Sequence, residues 1–431
     1  MTSVSGLAAP PPLDAVSPVR LETVAALAGV GVGPLRRVLW LHCGEGIGPA
    51  LLAAATAGTG AEVVAAAAAP AEAEAARRLA AEAGVPLEVH AAPADRPDAL
   101  PGRFDLVALP SGWSRLDAAG REALARFLAE RVGPGGAFLL GHEVSPGGRA
   151  AETLAQLLGL CWERAGEGPE AARAAEALAA AERLIEASHM LVRQMPDWAA
   201  DLAALRALPP AALRRDWIAP RGPLWGMRRT GGLLARAGFA RWTPAEPLRL
   251  AREADFSAAQ LALIDAAPDP WSAAETADLA ASRVRRLDLF VKPGGAAPAL
   301  GARRVAGLAP PEAAPTRIRA LGGPVALSRA AYGPLVAALE MGRGLEIGAL
   351  AARLGEAPEA LAERLAVLIG AGHAAPAAFA EETDSPDAAR RASAALRRAL
   401  AARGVADVAP APLLGGARRL EPGRGTVKAG D

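Results

Sequence analysis

Lysine, asparagine and tyrosine are almost missing from this chain. Of its 47 basic residues only Lys292 and Lys428 are lysines, asparagine does not occur, and Tyr332 is the single tyrosine. Arg, Ala, Gly and Pro stand in their place, with Ala making up about a quarter of the 431 residues. This is the mark of a GC-biased genome and not of a nucleic-acid binder. The formal net charge is +1, which argues against a general electrostatic grip on DNA, RNA or acidic lipid. Aromatic residues are 4%, so a core built mainly from rings is not expected. Two cysteines, Cys43 and Cys161, and five scattered histidines provide neither a disulfide framework nor a thiolate metal site. Both thiols are expected to be reduced, in a cytoplasmic protein. No basic region followed by an apolar run opens the chain, so no secretory signal is expected. The longest Ala-rich stretch, residues 46–69, is interrupted by Glu62 and contains Ala, Gly and Thr more than Leu and Ile, so no membrane span is expected.

What is present is an apolar fraction of 52%, enough for a packed core and two to four domains. Residues 1–18 carry four prolines and no periodicity, and read as a flexible lead. Over 19–162, strand-like runs (RRVLWL, AEVVAAA, LEVHAA, FDLVALP, GGAFLLGHE) alternate with helix-like ones. That order predicts an α/β domain with a doubly wound, mostly parallel sheet. Residues 163–292 read as a smaller helical domain holding five of the eight tryptophans, and 293–324 as a Gly, Ala and Pro-rich linker. Residues 325–431 open with three helices at winged-helix spacing and continue into a further amphipathic helix.

The segment VLWLHCGEGIG, residues 38–48, carries the chemical information: an apolar strand runs into a Gly-rich turn and then a helix. At the carboxyl end of a first strand, glycines let a ligand approach the backbone and the helix offers free N–H groups. Gly44, Gly46 and Gly48 are spaced as G-x-G-x-G. Pro49 stands where a dinucleotide fingerprint needs Gly or Ala, so the turn favours an adenosylmethionine-type ligand over NAD. Further on, GRFDL at 102–106 opens the fourth strand, and GPGGAFLL at 133–140 leads the fifth.

With these landmarks the chain resembles class I adenosylmethionine-dependent methyltransferases that carry a methyltransferase regulatory domain, a group that includes bacterial protein-lysine methyltransferases. VRLETVAALAGVG resembles the family's lead helix, and FDLVALPSGWSRL its fourth-strand segment. RRDWIAPRGPLWGMRRTGGLLARAGFARW at 214–242 is similar to a regulatory-domain stretch. AETADLAASRVRRLDLFV at 274–291 is similar to another, keeping Glu275, Asp278, Arg283 and Arg286. APAPLLGGARRL near the end completes the likeness. The resemblance implies a Rossmann-like methyltransferase domain over 19–162, a helical regulatory domain over 163–292 and a winged-helix-like domain over 325–431. It implies S-adenosyl-L-methionine as cofactor and protein side chains of lysine type as acceptors.

By the same resemblance the cofactor would lie against His42, Cys43, Gly44, Glu45, Gly46, Gly48, Ala67, Asp95, Leu109 and Pro110, with Asp95 at the adenine edge and residues 109–113 facing the acceptor amine. Several of these depart from the pattern. Trp40 and His42 stand where an acidic residue and Gly are expected, Ala67 where a carboxylate would accept the ribose hydroxyls, and Pro110 where the family has His. Each residue also has a plain structural reading: Cys43 as a small buried filler, Glu45 as a helix-dipole partner, Asp95 as a turn former, His142 as a structural histidine, Trp40 as core. Two functions stay open, a methyltransferase and a catalytically degenerate relative retained as a partner-binding or regulatory scaffold. Over residues 328–377 four arginines face five glutamates, so a protein-interaction or substrate-presenting role is expected there, with no nucleic acid.

Overall fold

The computed structural model describes residues 14–188, 190, 193, 197–219, 222–296 and 299–419. Helix α1 (Pro18–Leu27) begins at Ser17, whose hydroxyl accepts from the Arg20 N–H at 3.3 Å and donates to the Gly415 carbonyl at 2.9 Å. Ala15 and Val16 are already buried, so residues 14–17, expected in a flexible lead, belong to the packed body. Residues 1–13 lie outside the described part.

Strands β1 (Arg37–Leu41), β2 (Glu62–Ala67) and β3 (Leu87–Ala91) alternate with helices α2 (Ile47–Thr56) and α3 (Pro70–Ala83). Strand β4 (Phe104–Leu109), helix α4 (Ala118–Arg131) and strand β5 (Val132–Glu143) follow. Near-continuous apolar runs suit strands covered on both faces, and the period of two divides each strand between two cores. Val38 and Trp40 join Leu106, Leu139 and helix α2 on one face; Leu39 and Leu41 join Val107, Phe138 and helix α4 on the other.

Helices α5 (Arg149–Arg164), α6 (Glu170–Ala187) and α7 (Trp198–Arg206), with a π-helical turn at Arg214–Ile218, share a core of their own around Trp198 and Trp217. Then come helix α8 (Met227–Arg236), strand β6 (Arg241–Pro244), helices α9 (Ala258–Asp265) and α10 (Pro270–Ala281), and strand β7 (Arg285–Val291). The large sheet has seven strands in the order β3-β2-β1-β4-β5-β7-β6. Strand β7 runs antiparallel to both β5 and β6. The stretch 163–292, expected as a separate helical domain, therefore also completes the sheet of the first domain. Two features hid this: Pro244 sits on an edge strand, where a missing N–H is tolerated, and β7 carries Arg286 and Asp288 at buried positions.

The stretch 293–324 is not a bare linker. It contains β8 (Arg304–Gly307), the central strand of a three-stranded sheet, and both β9 (Arg317–Ala320) and the start of β10 (Gly323–Ala326). Val305 and Ala306 are fully buried; a four-residue strand in Gly, Ala and Pro-rich surroundings has too few side chains to show a period. Helix α11 (Arg329–Ala338), strand β11 (Gly344–Glu346), helices α12 (Ile347–Leu354) and α13 (Ala362–Gly370) and strand β12 (Ala374–Ala377) complete this unit, with β11 and β12 flanking β8. The remaining elements, helix α14 (Asp387–Ala402) and the hairpin β13 (Val408–Ala411) and β14 (Gly416–Arg419), reach beyond it, although Ala411 still packs with Ala306, Ala375 and Ala377. Leu396, Leu400 and Val408 enter the core over α2 and α3, so 325–431 is not one unit either.

The charges that interrupt β7 are mutually satisfied. Arg286 grips Asp288 with two bonds, at 2.6 and 2.8 Å, and reaches Asp278 of α10 at 2.7 Å. The Nε2 of His142, the register partner of Arg286 on β5, lies 3.2 Å from Asp288, and the Trp242 ring lies 5.0 Å from the Arg286 guanidinium. Burial opposes the charge on Arg286, but the two carboxylates outweigh it and hold its pKa above the ordinary value. Burial likewise opposes the charge on Asp288, and Arg286 with His142 outweighs it, keeping that carboxyl well below the ordinary range. Burial pushes Asp278 upward in spite of Arg286 and Arg283, and its second oxygen has no partner.

Lys292, directly after β7, donates to the carbonyls of Leu128, Ala129 and Val132 at 3.1, 2.8 and 2.7 Å. Three carbonyls at the end of α4 converge on one ammonium, a geometry the planar guanidinium fork does not match.

Asp288→Asn is expected to lower unfolding stability by about 3–5 kcal/mol, because it strips Arg286 of its main counter-charge in the core; urea denaturation measures this. Since the folded-state pKa of Asp288 is depressed, its stabilisation is present above about pH 4 and is lost as pH falls, so the variant should show a shallower acid-side loss of stability. Lys292→Arg, which preserves charge, is expected to cost about 1–2 kcal/mol in the same assay.

Candidate functional site

Strand order reverses between β1 and β4, and in an open α/β sheet the crevice beyond the carboxyl ends at such a switch point is where ligands bind. The sequence supplies this edge with the turn His42–Gly46 and the start of α2. Gly44 takes φ +55° with open space where a Cβ would stand. Gly46 is the α2 N-cap at φ +82°, with no side chain capping the helix. A Cβ on Gly46 would lie 2.5 Å from the Ala76 Cβ, and one on Gly48 would lie 2.8 Å from the Trp40 ring. Gly44 thus opens onto the edge, Gly46 also admits helix α3, and Gly48 faces Trp40 beneath the helix.

The Cys43 N–H donates to the Ala66 carbonyl at 3.2 Å, tying the turn to β2. Burial, reinforced by Glu72, pushes the Cys43 thiol up to about 12, so it stays protonated and is no nucleophile. Glu45 is exposed. Ala67 ends β2 fully buried and pairs with Ala91; no carboxylate stands at that position. Asp95 is half-buried, packed with its Cβ 3.0 Å from where a Gly120 Cβ would be, and lies 4.0 Å from Arg96. Leu109 is core. The Pro110 carbonyl accepts from Arg285 at 2.9 Å and lies 2.0 Å from where a Cβ on Gly141 would be. Of the segment expected to face an acceptor, Trp113 instead lies buried, edge-on to Trp225 at 6.1 Å between ring centroids. Its surroundings include Arg121, which donates to the Trp113 and Pro223 carbonyls. His142 belongs to the Arg286 network and not to this edge.

The residue that organises the mouth is His42. It is one of two non-glycine residues with positive φ among those described, at +53°. Its ring spans from β1 across to the turns after β3 and β4. Nε2 lies 3.4 Å from the Ala94 N–H, Nδ1 lies 3.2 Å from Arg115 Nη2, and a Cβ on Gly112 would be 2.2 Å from Nδ1. Burial first, then the positive charges of Arg115 and Arg215, lower its pKa to about 3. The ring is therefore neutral, and since only one of its two nitrogens can accept, it satisfies either the Ala94 N–H or Arg115 but not both.

From His42 an ionic chain continues over the turn. Arg115 pairs with Asp216, Asp216 accepts two bonds from Arg215 at 2.9 and 2.8 Å, and Arg215 reaches Glu72 of α3 at 3.4 Å. Arg215 and Asp216 belong to the π-helical turn of the helical insertion. The sequence reading did not find Glu72, Arg215 and Asp216, since partners 101 and 143 residues apart leave no local signal. Among the described residues no group of three or more His, Cys, Asp or Glu is placed to hold a metal, and no helix is long and apolar enough to cross a membrane. The arrangement offers backbone donors, a neutral imidazole and paired charges, which suits binding and positioning.

Histidine NMR should show His42 neutral throughout the range from about pH 7 down to pH 4, where an ordinary imidazole gains its proton. Because the folded-state pKa is depressed, the unfolded chain takes up this proton first, so His42 adds to the loss of stability as pH falls below about 6.5.

No family model matches the sequence, and no curated protein is similar enough to count as a relative. Solved structures do match. The structure of PKMT2 from Rickettsia typhi aligns at TM-score 0.57 and 12% identity over 84% of this chain and 75% of that one. The same protein in complex with AdoHcy aligns at TM-score 0.60 and 13% identity over 85% and 77%. Together with the strand order and the antiparallel seventh strand, these matches show that the chain has the class I methyltransferase fold.

Proposed function

We propose that this protein is an S-adenosyl-L-methionine-dependent methyltransferase that acts on protein side chains of lysine type. The observation that carries this reading is the carboxyl edge of β1, where Gly44 and the uncapped start of α2 present a backbone cradle at the switch point of a methyltransferase-fold sheet. The similar rickettsial structure is that of a protein-lysine methyltransferase, and one form of it holds AdoHcy. The residues present fit such a ligand in part. Backbone donors are available, and Glu72 places a carboxylate near the turn. Ala67 provides none for a ribose, and the His42 ring lies across the mouth. Ligand entry therefore requires the imidazole to leave Ala94 and Arg115. The helical insertion of α5, α6, α7 and the π-helical turn fits the role of a regulatory unit, since its Asp216 holds Arg115 against that ring. The unit built on β8, β11 and β12 fits a winged-helix-like, substrate-presenting role. There Arg343, Arg353 and Arg364 are paired with glutamates, which leaves them poorly suited to phosphate. Free thiols at Cys43 and Cys161 fit a reducing, cytoplasmic setting.

A specific observation favours a second reading, a degenerate scaffold: His42 and Ala67 both stand at the cofactor edge, one filling it and one lacking a charge. Calorimetric titration with AdoHcy separates the two. Under the enzyme reading the wild-type protein binds weakly and His42→Gly at least about tenfold more tightly. Adding Ala67→Asp brings about a further tenfold through charge-assisted bonds. Labelled methyl transfer should then appear on lysines of extract proteins. If none of the three proteins binds while circular dichroism shows them folded, the scaffold reading holds.

A further inference from the structure

On the far side of the sheet from β1, a cleft of about 540 Å³ opens between β6, α9 and α10. We propose that it binds a small amphipathic carboxylate, an aryl or acyl monoanion whose head rests on Arg283 and whose body lies among Trp242, Phe256 and Ile264. The volume is that of a small-molecule site, and the walls are chiefly apolar.

Arg283 carries the assignment. It lines the cleft and is only 8% exposed. Among the described residues its one ion pair is with Asp278 at 3.5 Å, outside good hydrogen-bond geometry. Asp278 itself is committed to Arg286 at 2.7 Å. Among the described residues the Arg283 guanidinium makes no hydrogen bond, and its Nε is buried without one. A nearly buried fork with its donors unmet is a strong acceptor-seeking group.

The other charges around the cleft are occupied. Arg286 is held by Asp288 and Asp278, Arg249 by buried Asp255, and Arg252 by Asp265 at 2.6 Å; Asp269 caps α10 through the N–H groups of Trp271 and Ser272. The open position is therefore a single guanidinium, the other arginines of the cleft each being held by a carboxylate, which suits a monoanion over a dianion such as phosphate. The site is distinct from the β1 edge and independent of the methyltransferase reading.

The test is calorimetric titration of the full chain near neutral pH with 3-phenylpropionate, its neutral amide and inorganic phosphate. The acid is expected to bind saturably, with the amide and phosphate at least tenfold weaker. Arg283→Gln should weaken the acid at least tenfold. Ala273→Phe, which narrows the cleft and leaves Arg283 in place, should abolish binding, and it decides the matter if Arg283→Gln fails to fold. Equal binding of acid and amide, equal binding of phosphate, an undiminished Ala273→Phe, or no saturation of wild type by about 10 mM would each overturn the proposal.

Discussion

The buried Arg286 fork holds the architecture together. It joins β7 to itself through Asp288, to α10 through Asp278 and, by way of Asp288, to His142 on β5. Two carboxylates and two guanidiniums are thereby buried where β7 enters between β5 and β6. An isolated charge would be prohibitive there, and the pairing makes each member depend on the others. The seventh strand is antiparallel and comes from a segment more than a hundred residues after β5. Its insertion needs a specific mark of register, and the alternating Arg286 and Asp288, matched to His142 and Leu140, provide one.

The same network sets the chemistry of the neighbouring cleft. Asp278 has more cationic neighbours than it has well-placed oxygens, and Arg283 is the one left short. At the opposite end of the sheet the logic reverses. The β1 edge is built from backbone, with Gly44 and the start of α2, and its side-chain charges are tied across the opening through Arg115, Asp216, Arg215 and Glu72. His42 is held in a left-handed conformation and kept neutral by burial, and it links the sheet to that chain. The helical insertion thus reaches the sheet edge through charge pairs, while its own core stays separate.

The first five strands and their helices were legible because short strand-like runs, apolar in β1 and β2, alternate with longer helix-like ones within the local sequence. The Gly-rich turn was legible because its spacing is local. Strands β6 and β7 were not, since Pro244 and the charges of β7 break the apolar signal, and β8 is too short to show a period. Of the residues singled out for the edge, the structure brings His42, Cys43, Gly44 and Gly46 together. It turns Gly48 under the helix and places Leu109 in the core. The members of the resemblance motif Asp278, Arg283 and Arg286 meet in one network, while Glu275 accepts from the Arg228 N–H at the start of α8. Their spacing alone could not show which of them would be satisfied.

The scarcity of lysine gains meaning in the same way. Genome bias explains why arginine stands almost everywhere. Only the fold shows why Lys292 persists, with three helix-end carbonyls converging on one ammonium. By itself the sequence determined the alternation of strand and helix, the glycine turn at the end of β1 and the absence of a general polyanion-binding charge, because each depends on neighbours in the chain or on composition. Tertiary structure alone decided that residues 241–291 complete the sheet, that His42 lies across the mouth and that Arg283 is left with a distant ion pair and no hydrogen bond. Those outcomes depend on burial and on contacts between residues far apart in sequence, where desolvation turns the position of a single charge into a structural constraint.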